Sequence, residues 1–147
     1  MTTICYRDGV LAGDGRETII EDRESSYVDN DKCTKIFKLK DGRLFGASKT
    51  SEACIRLHES LVKGHSPPKL EDINGLLIDL RGRIWFFEGN LWYRIKHHRF
   101  YAIGSGARFA MPAMTAGCTA IEAVKIGIQY DPYSGGKVTA VRLSKRK

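Results

Sequence analysis

The chain has 147 residues, of which 42% are hydrophobic, and its formal net charge is +7. These values are typical of one globular domain, residues 1–147, and they exclude an intrinsically disordered chain, which has too few apolar residues to build a core. No apolar run approaches the length of a membrane span, and residues 1–20 lack the basic and apolar segments of a secretory signal peptide. We therefore expect an intracellular, cytoplasmic protein that does not bind membranes.

The amino-terminal part of the chain predicts two hairpins. Asp8-Gly9 and Asp41-Gly42 are dipeptides typical of a two-residue turn, and apolar stretches flank each of them. The predicted strands are 2–7, 10–13, 35–39 and 43–47. Antiparallel sheet structure is therefore expected from the start of the chain.

A helix is predicted over residues 51–63, with Thr50 as its N-cap and Gly64 at its end. Its apolar side chains recur at helical spacing: Cys54, Leu57 and Leu61. Further strands follow, separated by glycine-containing turns and predicted at 75–79, 84–88, 91–95 and 101–103.

Two helices and a last strand are predicted beyond residue 106. The first helix has Phe109, Ala113 and Met114 at helical spacing, Pro112 near its first turn and Gly117 at its end. Thr119 can cap the second helix, whose apolar side chains share one face: Ile121, Val124 and Ile128. That helix ends before Pro132, and the last strand is predicted at 137–143. This order of strands and helices predicts an α+β layered domain.

The basic segment 94–99 has two interpretations. It adjoins several aromatic residues, namely Trp85, Phe86, Phe87, Trp92 and Tyr93. Aromatic and basic residues together could stack on bases and contact phosphates. We favour the second interpretation, in which the aromatic residues alternate on paired strands and the basic run is a solvated loop. Nucleic acid is therefore not the expected partner.

Four cysteines are scattered along the chain, without the spacing of a metal site or a redox pair: Cys5, Cys33, Cys54 and Cys118. We expect free buried thiols, no disulfide, no bound metal and no cofactor.

Thr2 follows a methionine, and removal of Met1 would give one residue both a hydroxyl and a free α-amine. The nucleophile and its proton acceptor would then be held together covalently. A threonine hydroxyl is almost entirely protonated at neutral pH, so a nearby cation would help to activate it. Lys35 of Thr34-Lys35 can supply that cation, and Asp14 of Gly-Asp-Gly can keep the lysine protonated.

Two further motifs contain residues that could hold the α-amine and relay its proton. Ser105 lies between Gly104 and Gly106, and Asp131 and Ser134 belong to the segment Asp-Pro-Tyr-Ser-Gly-Gly. Each motif alone is typical of a turn or loop. Turn chemistry gives no reason for all of them to occur together with Thr2, so the combination favours an N-terminal-nucleophile site.

The order and content of these motifs resemble the proteasome β subunit and the bacterial HslV protease, from Thr2 to about Leu143. The resemblance implies an α+β fold, a shortened four-layer αββα N-terminal-nucleophile (Ntn) hydrolase sandwich of two antiparallel sheets flanked by helices. It implies a threonine endopeptidase with Thr2 as nucleophile. The other residues that match the family's catalytic positions are Asp14, Lys35, Ser105, Asp131 and Ser134.

The resemblance also implies where a substrate would bind. Thr18 matches a threonine that pairs with the substrate backbone. Lys49 stands where the family has an oxyanion-hole glycine, so its backbone N–H would meet the oxyanion while its side chain adds a cation to the cleft. Cys33, Ala47 and Ser51 would line the first substrate pocket. Because they are small, we expect cleavage of polypeptides after bulky apolar residues.

Assembly and partners follow from the same resemblance. Family members form homo-oligomeric rings, so a six- or seven-fold ring, single or stacked, is expected here. Whether an ATPase unfoldase binds stays open, because the segment between Gly64 and Leu76 is too short for the second long helix that relatives usually stack there. Two other functions stay open: a non-proteolytic Ntn amidohydrolase with an open small-molecule cleft, and a catalytically silent ring subunit or nucleic-acid-binding module.

Overall fold

A computed structural model describes residues 2–20, 26–48, 51–63, 73–88 and 91–144, apart from the side chains of 19, 20, 26, 27, 29 and 51–55. The strands in these ranges are β1 (Ile4–Arg7), β2 (Val10–Gly13), β3 (Glu17–Ile20), β4 (Ser26–Asn30), β5 (Ile36–Lys38), β6 (Leu44–Ser48), β7 (Asn74–Ile78), β8 (Ile84–Glu88), β9 (Leu91–Ile95), β10 (Phe100–Ile103) and β11 (Thr139–Arg142). The helices are α1 (Ser51–Lys63), α2 (Ala107–Thr115) and α3 (Ala120–Tyr130).

The strands form two larger sheets and one small one. The first sheet has the order β10-β1-β2-β11, and the second has the order β5-β6-β7-β8-β9. Neighbouring strands are antiparallel in both. The third sheet pairs β3 with β4 and carries a register shift between Glu17 and Thr18. This small hairpin was not predicted from the sequence.

The two larger sheets pack face to face because their strands alternate. Successive side chains of a strand point to opposite faces. In β1, Ile4 and Tyr6 face the other sheet, whereas Cys5 faces the helices α2 and α3. In β6, Leu44 faces the space between the sheets and Phe45 faces the outer side, where Leu57 of α1 packs. Each fully buried aliphatic side chain contributes about 2 kcal/mol through removal of its surface from water.

Three apolar cores therefore separate four layers. The central core lies between the sheets and contains Ile4, Tyr6, Leu11, Ile36, Leu44, Leu76, Ile78, Ile84 and Ile103. The second lies between the four-stranded sheet and the helices α2 and α3, and the third between the five-stranded sheet and α1. The predicted αββα sandwich is confirmed.

Most predicted elements are confirmed with small differences at their ends. Thr119 caps α3 in a full capping box with Glu122. One prediction is wrong: Pro112 lies inside α2, which begins at Ala107, rather than near its first turn. Because proline has no N–H, the i→i−4 hydrogen bond to the carbonyl of Arg108 is missing from this short helix. Thr50, Gly64 and the segment 64–72 lie outside the described residues.

The aromatic residues of β8 and β9 belong to paired strands, as the second interpretation of the basic segment requires. Phe86 pairs with Tyr93, and Phe87 pairs with Trp92. The ring centroids of Phe87 and Trp92 are 4.5 Å apart. Residues 96–99 follow β9 and are exposed.

Two further predictions concern cysteines and membranes. The thiols of Cys5 and Cys33 are buried, as expected, but the thiol of Cys118 is only partly buried. The side chain of Cys54 lies outside the described ones. Within the ranges that the structure describes, no helix is long and apolar enough to cross a membrane. The same ranges contain no cluster of His, Cys, Asp and Glu side chains able to hold a metal ion.

Candidate active site

Thr2 lies immediately before β1, a central strand of the four-stranded sheet, and only 1% of its surface is exposed. Its carbonyl oxygen accepts a hydrogen bond from the backbone N–H of Gly106 (3.2 Å) and lies 3.5 Å from Ser105 Oγ. Its own Oγ1 is buried and has no hydrogen-bond partner among the residues that the structure describes. Buried hydroxyls are almost always paired, so an unpaired one marks a group that can engage another molecule.

The glycines of the 104–106 motif are required by this close approach. A Cβ at Gly104 would overlap the carbonyl oxygen of Thr2, and a Cβ at Gly106 would overlap Thr3 Oγ1. Gly104 also has a φ of +93°, a conformation that strains residues with a Cβ. The Gly-Ser-Gly sequence thus lets one serine reach Thr2 between two glycines that make room for it.

Asp14 and Lys35 form a buried ion pair beside Thr3. Lys35 Nζ lies 3.0 Å from Asp14 Oδ1, and the side chains are 2% and 0% exposed. The ammonium also donates to the carbonyl oxygen of Arg16 at 2.5 Å. Asp14 lies just after β2 and Lys35 just before β5, so the pair forms where the two large sheets meet.

The Asp14 carboxylate is saturated with donors. Its Oδ1 accepts from Lys35 Nζ and from the backbone N–H of Thr3, each at 3.0 Å. Its Oδ2 accepts from the backbone N–H of Gly135 at 3.0 Å and of Arg16 at 3.3 Å. Such donors stabilise an ionised carboxylate in a buried position. The Lys35 ammonium therefore has a fixed counter-charge.

Ser105, Asp131 and Ser134 form a second network. Asp131 Oδ2 accepts from Ser105 Oγ at 2.5 Å and from Ser134 Oγ at 2.6 Å. Asp131 follows the last residue of α3 and is 1% exposed. Its Oδ1 accepts from the backbone N–H of Tyr133 at 3.2 Å. The structure thus brings together three side chains that the sequence analysis placed in one site.

Five of the six side chains predicted to be catalytic lie in these two networks, and the backbone of Thr2 adjoins both. Thr2 contacts the second network through its carbonyl oxygen, and the next residue, Thr3, contacts the first through its N–H. The catalytic roles themselves remain predictions.

The residues predicted to bind substrate are more dispersed. Thr18 lies in β3, and its Oγ1 donates to the carbonyl oxygen of Tyr133 at 3.2 Å. Cys33 is buried. Ala47 is fully covered in the core beneath α1, and its N–H donates to the Lys35 carbonyl at 3.1 Å. Lys49 lies outside the described residues, as does the side chain of Ser51.

Glu17 is a neighbour of Cys33 that the sequence analysis missed. The Cys33 thiol donates to Glu17 Oε2 at 3.4 Å, which brings a partly exposed carboxylate to the predicted substrate pocket. The adjacency of Glu17 to Thr18 was visible in the sequence, but its side-chain direction depends on the unpredicted β3–β4 hairpin.

Arg16 and Asp31 were also missed. Arg16 Nε donates to Asp31 Oδ1 at 2.8 Å, and Nη2 donates to Oδ2 at 3.2 Å. The hydrogen bond from Arg16 lowers the pKa of Asp31, and the same bond raises the pKa of the guanidinium. A Cβ at Gly135 would lie 2.5 Å from the guanidinium carbon of Arg16. This pairing anchors the backbone whose carbonyl holds Lys35.

Cys5 is another side chain that could in principle act as a nucleophile, but its buried environment suppresses the reactivity of its thiol. Burial raises the pKa of its thiol far above the ordinary value, and the negative charge of Asp14 raises it further. The thiolate, which is the reactive form, is therefore not populated near neutral pH.

Solved structures share this fold. Eukaryotic HslV from Trypanosoma brucei matches 96% of this chain with 99% of its own, at a TM-score of 0.69 and 18% sequence identity. Thiobacillus denitrificans BPH matches 99% of this chain with 99% of its own, at a TM-score of 0.64 and 17% sequence identity. The same protein in complex with epoxomicin matches 98% of this chain with 99% of its own, at a TM-score of 0.58 and 18% sequence identity.

No family model and no curated protein sequence matches the chain. At these identities a structural likeness establishes a fold and leaves activity to be tested. The resemblance that the motifs indicated is confirmed at that level: the chain shares the layered αββα fold of HslV and BPH.

Proposed function

We propose that the chain is a threonine endopeptidase whose nucleophile is Thr2, exposed by cleavage of the Met1–Thr2 bond. The observation that carries the proposal is the position of Thr2, which has a buried hydroxyl without a partner among the described residues. Its carbonyl oxygen contacts the Ser105–Asp131–Ser134 network, and the next residue, Thr3, bonds to the Asp14–Lys35 ion pair. The fold shared with HslV, and with a BPH that has been crystallised with epoxomicin, supports it.

In the first half-reaction, Thr2 Oγ attacks the carbonyl carbon of the scissile amide and passes its proton to the α-amine. The resulting oxyanion is stabilised by a backbone N–H, assigned to Lys49 by the resemblance. Collapse of the tetrahedral intermediate breaks the C–N bond, and the leaving amine takes the proton. An ester between Thr2 and the acyl fragment remains.

In the second half-reaction, the α-amine deprotonates a water molecule that attacks the ester. The acyl fragment leaves as an acid, and Thr2 Oγ regains its proton. Lys35 acts electrostatically throughout, because its ammonium stabilises the negative charge that develops on Thr2 Oγ. Ser105, Ser134 and Asp131 hold the α-amine and share its protons.

Intact mass spectrometry tests the proposal directly. We expect the purified protein to lack Met1 and to gain one stoichiometric adduct with a peptide epoxyketone or β-lactone. Thr2→Ala should abolish the adduct, whereas Thr2→Ser should retain it because the hydroxyl and the amine both remain.

Three outcomes would contradict the proposal or narrow it. Retained Met1 without an adduct would mean that the site is silent, and the ring-subunit function would replace it. An adduct together with cleavage of small amides but not casein would indicate an amidohydrolase. An adduct that persists in Thr2→Ala would assign the nucleophile to another residue.

We also propose that the first substrate pocket prefers bulky apolar residues and disfavours acidic ones. The resemblance assigns the pocket to small side chains, Cys33 among them, and the Glu17 carboxylate beside Cys33 would repel an acidic substrate side chain. Peptides that differ only in the residue before the cleaved bond should show faster turnover for leucine than for glutamate.

Glu17→Gln should raise turnover of the glutamate peptide relative to the leucine peptide about three- to tenfold, as expected for loss of a like charge. Glu59→Gln, on an exposed face of α1, is the matched control and should leave the ratio unchanged. Equal turnover of both peptides by the unmodified chain would reject the preference.

Assembly into a homo-oligomeric ring in the cytoplasm completes the proposal. Sedimentation velocity should show a species of six, seven, twelve or fourteen copies if the chain assembles as the resemblance implies. A monomer that still forms the Thr2 adduct would separate the chemistry from the assembly.

A further inference from the structure

Thr3 connects the two polar networks. Its backbone N–H donates to Asp14 Oδ1 at 3.0 Å, and its Oγ1 lies 2.7 Å from Ser134 Oγ. The side chain is 0% exposed. Hydrogen bonds therefore connect Lys35 to Asp14 and Asp14 to Thr3, and they continue from Thr3 through Ser134 to Asp131.

The direction of the Thr3–Ser134 hydrogen bond follows from proton counting. A serine hydroxyl has one hydrogen and two lone pairs. Ser134 gives its hydrogen to Asp131 Oδ2 at 2.6 Å, so Thr3 Oγ1 must be the donor in the bond to Ser134. Ser134 then has one lone pair left, and the proposed function assigns it to an N–H of the α-amine of Thr2.

The methyl group of Thr3 has a separate, structural environment. It packs against Gly127 of α3, where a Cβ would lie 2.7 Å from Thr3 Cγ2 and 2.8 Å from Thr3 Oγ1, but only the hydroxyl also bonds to Ser134. Loss of the methyl and loss of the hydroxyl should therefore have different consequences, since the methyl packs and the hydroxyl bonds.

We propose that Thr3 is a positioning residue for the reaction, acting through Ser134. Its hydroxyl fixes the rotation of Ser134 Oγ so that the remaining lone pair is available to the α-amine. The inference rests on the proposed function, since it assigns a part to a residue beside the nucleophile. Thr3 itself does not contact the reacting atoms.

The test compares the rate of adduct formation at Thr2 with thermal stability in paired variants. Thr3→Val keeps the methyl and removes the donor, so labelling should slow about tenfold, the effect of one lost hydrogen bond. Thr3→Ser keeps the donor and removes the methyl, so labelling should stay within about threefold of the original rate while the melting temperature falls.

A second pair of variants tests the same role without valine, whose side chain is too large if the space beside Gly106 does not admit it. Thr3→Ala and Thr3→Ser both lack the methyl, and only serine keeps the hydroxyl. Alanine should label about tenfold more slowly than serine. In a Ser134→Ala background, Thr3→Val should add no further loss, because its partner is already gone.

The outcomes separate this inference from the proposed function. No adduct in the unmodified chain would overturn both. Normal labelling of the unmodified chain together with normal labelling of Thr3→Val, or labelling rates that simply follow melting temperature, would overturn the positioning role alone. Additive losses in the Ser134→Ala background would do the same.

Discussion

Two carboxylates of this molecule, Asp14 in the candidate site and Asp79 in the turn before β8, accept similar sets of hydrogen bonds in opposite settings. Each oxygen of Asp14 accepts two donors, as described above. Each oxygen of Asp79 also accepts two: Oδ1 from the N–H groups of Arg81 and Arg83, and Oδ2 from Arg83 Nε and Trp85 Nε1.

The difference lies in where the donors come from. The donors to Asp79 are at most six residues away, so a local turn supplies all of them. Apart from Arg16, the donors to Asp14 are 11, 21 and 121 residues away, and the side chain is fully buried. The Asp79 carboxylate stabilises a local turn. The hydrogen bonds of Asp14 form only when the two sheets and the segment after α3 have come together.

Because Asp14 is buried and Asp79 is not, the largest change in stability and activity is expected when Lys35, the counter-ion of Asp14, is replaced. Replacing the ammonium in Lys35→Met leaves the buried Asp14 charge without its counter-ion, which should lower the free energy of unfolding by about 3 kcal/mol. Adduct formation at Thr2 should fall by at least ~10³-fold, because the electrostatic activation is lost. Chemical denaturation and mass spectrometry measure the two effects.

Lys38→Met is the matched control, because Lys38 is exposed and bonds only to Ser144 Oγ among the contacts described. It should change stability by less than about 0.5 kcal/mol. Near-normal labelling of a folded Lys35→Met chain would remove Lys35 from the mechanism.

The next effect concerns the glycine that makes room for Thr2. Gly104 and Gly117 both have positive φ, +93° and +110°, but a Cβ at Gly117 meets nothing within 4 Å. Gly117→Ala should therefore cost only the backbone strain, about 1 kcal/mol. Gly104→Ala adds an overlap with the Thr2 carbonyl and should cost more than about 2 kcal/mol and slow labelling.

Equal stability of the two alanine variants, measured by urea denaturation, would mean that the loop at Gly104 shifts without strain. In that event the close approach to Thr2 would not be essential to the site.

The smallest effect is expected at Asp79, and it depends on pH. Burial raises the pKa of Asp79, but the hydrogen bonds from Arg83, Trp85 and Arg81 outweigh it and hold the pKa below the ordinary value of 3.8. A carboxyl whose pKa is lower in the folded state stabilises the protein above its unfolded pKa. That stabilisation is lost as the pH falls through the folded pKa.

Asp79→Asn should therefore destabilise the chain by about 1 kcal/mol at pH 7. The difference should shrink below about pH 4, near the unfolded pKa, and vanish once Asp79 is protonated in the folded chain. Melting curves of both proteins from pH 7 to pH 2.5 provide the measurement. A difference that persists unchanged at the acid end would assign the effect to packing rather than charge.

The sequence predicted the local elements well because their causes are local. Asp-Gly turns, the Thr119 cap and apolar alternation are read from neighbouring residues, and the corresponding hairpins and helices are present. The β3–β4 hairpin escaped prediction because no turn dipeptide or clean alternation marks it. Pro112 was misplaced because a proline is favoured in the first turn of a helix, whereas this one lies inside α2.

Thr2, Asp14, Lys35, Ser105, Asp131 and Ser134 could be named from motifs, since each needs a residue type that the sequence displays. Thr3, Arg16 and Glu17 could not be named, because an ordinary threonine, arginine or glutamate becomes informative only through its partner. Thr3 matters through Ser134, which lies 131 residues away.

The sequence by itself determined the order of the strands and helices other than β3 and β4, the candidate nucleophile and the residue types around it, because periodicity, turns and chemical type are properties of short segments. Only the tertiary structure decided which polar groups meet and which are shielded from water. A buried ion pair or hydroxyl relay forms when separate layers close over it, and that closure depends on the packing of the whole sandwich.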